Sequence, residues 1–152
     1  MSTLSSSNYL SFLAGQWTGQ ETIAPSKWGA GGTAIATITS RLDLNDKALI
    51  HDYRAERDGK TWLIAHAIFV FDEPSSHYSL FWFDSLGFVP TQPAPGQHDG
   101  NTLKFIRTSP RGQTRHTYTF SDDKQYQLLL ESSFDGGATW ILVMNGVYSR
   151  RS

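Results

Sequence analysis

A chain of 152 residues has the size of one domain, long enough to bury a core without disulfide or metal staples. It holds no cysteine, which removes disulfides, thiolate metal sites and cysteine nucleophiles together and fits a reducing compartment. Its 13 Lys and Arg balance 14 Asp and Glu with no basic stripe beyond Arg150-Arg151, so nucleic acid is not an expected partner.

The first seven residues, Met-Ser-Thr-Leu-Ser-Ser-Ser, lack the basic and apolar regions of a signal peptide, and no apolar run is long enough to span a bilayer. A soluble cytoplasmic protein without membrane contact is the expectation. Tyr9, Phe12 and Leu13 fall at helical spacing, with Ser7 or Asn8 as the N-cap and Gly15 as the stop, which predicts one short helix.

From Gln16 onward the apolar period changes to two, and turn residues recur about every ten positions. Ten strands are predicted, over 16–24, 33–44, 47–57, 60–72, 77–85, 88–97, 101–109, 113–121, 124–134 and 138–150. Their connections are short and typed by residue, among them Asn45-Asp46, Asp58-Gly59, Asp99-Gly100 and Asp122-Asp123. Such loops leave little room for crossovers, and about ten up-and-down strands remove their edges by closing on themselves. The expected fold is therefore an all-β, up-and-down antiparallel barrel, one domain over residues 1–152, with a short N-terminal helix. Pro90, Pro93 and Pro95 mark an edge or rim segment, and the Gly29 to Gly32 stretch a flexible loop.

Asp58-Gly59 between two alternating runs is the strongest short-range hairpin signal in the chain. Pairing Arg57 with Lys60 and counting outward sets Ala55 against Trp62, Tyr53 against Ile64, His51 against His66 and Leu49 against Ile68, all on one face. The alternate residues Asp52, Arg54 and Glu56 mark the other face as solvent. The Asn45-Asp46 turn agrees, placing Ser40 against His51, Ile38 against Tyr53 and Leu42 against Leu49. An odd-residue turn at 74–76 adds Asp84 opposite His66 and Trp82 opposite Ile68. The expected row is Ser40, His51, His66 and Asp84, a polar spot in an apolar interior.

Such a row suits polar anchoring of a small ligand, or a satisfied hydrogen-bond network. It is too flat for a metal centre, and no elbow exposes Ser40 as a nucleophile, so no catalytic residue, metal or cofactor is assigned. A His66–Asp84 pair acting in proton transfer is the enzymatic alternative. Arg107 and His116 are further candidates, Arg107 through its paired donors for a ligand carboxylate. The candidate ligand-binding set is His51, Tyr53, His66, Trp82, Asp84, Arg107 and His116, for a small apolar or amphipathic molecule. This register also leaves Leu63, Ala65, Ala67, Phe69 and Phe71 on the outside. The strip needs cover from the helix or from a second copy in a homodimer, and a structural dimer whose barrel is filled by its own rings is a third reading.

Three segments carry a family resemblance. Phe12-Leu13-Ala14-Gly15-Gln16-Trp17-Thr18-Gly19 resembles the start of the calycins, the superfamily of lipocalins and fatty-acid-binding proteins. Phe81-Trp82-Phe83-Asp84-Ser85-Leu86-Gly87, and the ending with Asp135-Gly136-Gly137-Ala138-Thr139-Trp140 and Tyr148-Ser149-Arg150, resemble the bacterial domain-of-unknown-function family 1579, whose lipocalin-like barrels imply a fold more than an activity. The Gly15 to Gly19 start is also similar to that of nitrobindin, a haem-binding calycin, but the histidines here, at 51, 66, 77, 98 and 116, provide no ligand near the C-terminus. Residues 133–140 further resemble the Asp-box hairpin of sialidase propellers, here in a single copy and so a structural turn.

Overall fold

The structure, a computed structural model, describes residues 9–27 and 29–151. The proposed caps Ser7 and Asn8 lie outside the described residues. One helix, α1 (Tyr9–Leu13), precedes ten strands: β1 (Gly15–Ile23), β2 (Gly32–Asp43), β3 (Ala48–Arg57), β4 (Lys60–Asp72), β5 (His77–Asp84), β6 (Ala94–Asp99), β7 (Thr102–Ser109), β8 (Gly112–Asp122), β9 (Gln125–Ser133) and β10 (Ile141–Arg150). Each strand pairs antiparallel with its neighbours in sequence, and β1 pairs with β10, closing the barrel. Full closure leaves no edge to protect.

Turn chemistry positions the strands. Asp58 and Gly59 have φ of 53° and 75°, the pair of left-handed residues that matches a two-residue turn to strand twist. The β2–β3 register is the expected one, with Ser40 against His51, Ile38 against Tyr53 and Leu42 against Leu49. The β3–β4 register is not. After Glu56 meets Thr61, a bulge inserts Trp62 as an extra residue, so Ala55 faces Leu63, Tyr53 faces Ala65, His51 faces Ala67 and Leu49 faces Phe69. That single residue reverses the faces of β4: Ala65, Ala67 and Phe69 point in, and Ile64, His66 and Ile68 point out. The small inward alanines leave room for the rings of Tyr53, Phe69 and Trp82, a small–large alternation that suits a narrow barrel.

β5 also departs from the expected register. Asp72 pairs with His77 across a four-residue turn, so Phe83 lies opposite His66 and Asp84 opposite Ala65. The cross-sheet row is Ser40, His51, Ala67 and Trp82. Further along, residues 88–93 form no strand, and β6 begins only at Ala94, after the prolines at 90 and 93.

The core has two storeys. At one end α1 plugs the barrel, burying Tyr9, Leu10, Phe12 and Leu13 against Trp17, Tyr78 and Phe120. Arg150, at the end of β10, locks the plug: it donates to the carbonyls of Ala14 (2.6 Å), Phe12 (3.0 Å) and Asp123 (2.8 Å) and stacks on Trp17 with its guanidinium carbon 4.2 Å from the ring centroid. The helix therefore fills a barrel end and does not cover the outside of β4. The second storey, toward the β1–β2, β3–β4, β7–β8 and β9–β10 loops, holds the cavity.

Candidate functional site

The cavity leaves about 90 Å³ in which the centre of a water molecule can move. One water needs roughly 10–15 Å³ by that measure, so the space holds several waters or one small ring. Its wall is predominantly apolar, with Ile23, Ile38, Leu128, Leu130, Val143 and Met144 among the lining residues. Glu21, His51, Tyr53, Trp82, His116 and Tyr118 add polar groups to that lining.

Trp82 sits among the candidate residues. Its ring centroid lies 5.8 Å from Tyr53, 5.8 Å from His116 and 6.2 Å from His51. Its indole N–H donates to Asp84 Oδ2 at 2.9 Å, and Asp84 Oδ1 accepts the backbone N–H of Leu86 at 3.0 Å. Asp84 thus fixes the orientation of Trp82 from the rim and faces no histidine.

His51 is 2% exposed and shares a 2.7 Å hydrogen bond between Nδ1 and the Ser40 hydroxyl; its Nε2 has no hydrogen-bond partner among the described residues. His116 is 7% exposed, and its Nδ1 has no partner either; nor does the hydroxyl of Tyr118, its neighbour but one on β8. Burial pushes His51 down to about 4. His116 falls to about 3, chiefly by burial, then by the charges of Arg107 and His51. Both imidazoles are neutral at pH 7, each offering one donor and one acceptor.

Glu21 is the residue that sequence reasoning missed. It is fully buried, and its carboxylate accepts the Tyr53 hydroxyl (2.7 and 2.8 Å to its two oxygens) and the Tyr148 hydroxyl (2.6 Å). Burial raises its pKa, and the two tyrosine hydrogen bonds act to lower it. Parity held the signal, since Glu21 lies four residues beyond the inward Trp17 on the same face of β1. Gly19 and Gly146 make the cluster possible. A methyl group at Gly146 would sit 2.3 Å from the Tyr148 hydroxyl, and one at Gly19 would sit 2.4 Å from the Tyr148 ring.

The other candidates lie elsewhere. His66 is on the outer face, its side chain 72% exposed and its Nδ1 2.7 Å from Asp52 Oδ1. The bulge at Trp62 put it there, so the His66–Asp84 pair of the enzymatic alternative does not form. Arg107 is half-buried at the end of β7, at the rim near His116. Among the described residues no group of three or more His, Asp or Glu side chains converges as metal ligands would.

Barrel, plug and interior cavity define a calycin-like barrel protein. The chain belongs to the family described as "Protein of unknown function (DUF1579)", which it matches over residues 4–150. No curated protein matches it by sequence. Among solved structures it is similar to the S-type phycobiliprotein lyase CPES from Guillardia theta, at 8% identity and TM-score 0.74 over 98% of this chain and 94% of that one. It is also similar to Rv2717c from M. tuberculosis, at 13% identity and TM-score 0.74 over 99% and 100% of the two chains. At these identities the likeness concerns the fold. No described helix is long and apolar enough to cross a membrane.

Proposed function

We propose that the protein binds a small, neutral, mainly apolar molecule of about one ring inside the barrel, held by stacking on Trp82 and by hydrogen bonds to His51, His116 and Tyr118. The observation that carries this reading is the pairing of an unfilled apolar cavity with buried polar atoms, His116 Nδ1 and Tyr118 OH, that no described group satisfies. Orphaned buried polar groups cost stability, and natural proteins keep them where something else completes them. Tyr53 forms the wall and engages Glu21, so the carboxylate is already committed and adds no free charge. Phenol, a ring with one hydroxyl, is a suitable probe. Calorimetry is expected to show saturable binding to the wild type and none to Val143→Phe, which fills the cavity. Equal heats for both proteins, or no binding at millimolar phenol, overturn the proposal.

A homodimer is proposed through the outer face of β3 to β5, where Ile50, Ile68 and Phe81 form one cross-sheet row and Ile64 and Phe83 flank it, three of the five more than a third exposed. A mass of one chain in light scattering at 100 μM, on the order of a weak dimer's dissociation constant, would refute it. The absence of cysteine supports a cytoplasmic setting.

A further inference from the structure

Outside the barrel interior, a groove of about 350 Å³ opens at the rim between residues 88–92, the β7–β8 hairpin and the end of β9. Its floor and walls combine exposed apolar groups, Phe88, Val89 and Phe134, with two guanidiniums, Arg107 and Arg111, and it has no acidic lining residue. That balance is unlike the chain as a whole, which is close to neutral. Arg111 lies over the Phe88 ring, its guanidinium carbon 4.1 Å from the centroid, which leaves its N–H edge free for an acceptor. Arg107 is half-buried and makes no hydrogen bond or ion pair with any described residue. A partly desolvated guanidinium without a counter-charge is unfavourable, and an anion relieves it.

We propose that this groove is a second binding site, distinct from the cavity, for an organic anion whose carboxylate or phosphate meets Arg107 and Arg111 and whose apolar body lies on Phe88, Val89 and Phe134. The paired donors of arginine suit both head groups, and the aromatic rim supplies area for a fused ring. The site is too large and too charged to serve the same molecule as the cavity.

The test compares 2-naphthoate, 2-naphthyl phosphate and neutral 2-naphthamide by calorimetry on the full chain. At least one anion is expected to bind ten times or more tightly than the amide, with affinity falling as salt rises. Arg107→Gln should reduce anion affinity to that of the amide, and Arg107→Lys, which keeps the charge but loses the fork, should give an intermediate value. Phenol binding by Arg107→Gln shows that the barrel is intact, and the lysine variant decides the matter if the glutamine variant fails to fold. Equal affinity of amide and anions, or unchanged affinity in both Arg107 variants, would overturn the proposal. So would loss of anion binding in the cavity-filled Val143→Phe, which would put the anion inside the barrel.

Discussion

Three ionisable groups, Glu21, His51 and His116, are buried, and burial pushes each toward neutrality. For the histidines the folded values lie below the unfolded one, so the unfolded chain takes up protons first as pH falls. Their neutral-state stability is fully present above about 6.5 and drains away as pH drops toward about 4 and about 3. Glu21 works the other way, because its raised pKa lets the folded state bind a proton earlier. Two histidines outweigh one carboxyl, and the expected loss between pH 7 and 4.5 is of order several kcal/mol. Urea unfolding at the two pH values measures it, and His116→Leu should flatten the difference. At pH 7 the same variant should be neutral or slightly more stable, since it removes an orphaned polar atom, while weakening phenol binding. Tyr148→Phe should cost about 1.5–3 kcal/mol in chemical denaturation, the range for a hydrogen bond to a charged group, and should raise the Glu21 pKa further. Gly146→Ala should imitate it, because the new methyl group displaces the Tyr148 hydroxyl.

At the scale of elements, local chemistry holds the two ends of the barrel in place. Arg150 joins the last strand to the plug through the Phe12 and Ala14 carbonyls and the Trp17 face, and to the β8–β9 turn through the Asp123 carbonyl, so Arg150→Ala should destabilise by about 1–3 kcal/mol and loosen α1 first, seen as faster amide exchange around Phe12. The turn at 133–140 is organised by Asp135, which accepts from Ser133, from the Thr139 hydroxyl and from the Thr139 backbone and is thereby held down at about 2. Its resemblance to an Asp-box pointed to this structural role. Alternation and turn residues made ten strands, the short helix and the β2–β3 register legible in the sequence, because they depend on neighbours in the chain. The bulge at Trp62 was not legible. It depends on how the rings of Tyr53, Phe69 and Trp82 fit against Ala65 and Ala67 across three strands, and one extra residue exchanged inside for outside along the whole of β4. His66 was misplaced for that reason, and the same error turned the expected outer strip into an inner one. The β5 turn length was equally open, since Pro74, Ser75 and Ser76 are all turn formers and Glu73 could end the strand or begin the turn.

On the scale of the whole molecule, the closed barrel supplies rigidity and the unfilled storey supplies a site. Ring packing is dense around the plug, where Phe120 packs against Tyr9, Phe12 and Tyr126, and Trp17 packs against Phe12 and Tyr126. Above that layer the walls stop short of contact and leave the cavity beside Trp82. A barrel built only for stability would close that space, because cavities and orphaned polar atoms both cost free energy. The two proposed sites lie at one end of the molecule, a neutral interior and a cationic rim, with Arg107 lining the rim groove. The measurement that tests the interior site most directly is a phenol titration followed by two-dimensional 1H–15N NMR. Saturable shifts of the Trp82 indole N–H and of the His51, His116 and Tyr118 amides, with the outer residues of β4 unmoved, are the predicted result. Shifts confined to the outer surface or the rim, or none at millimolar phenol, would contradict it.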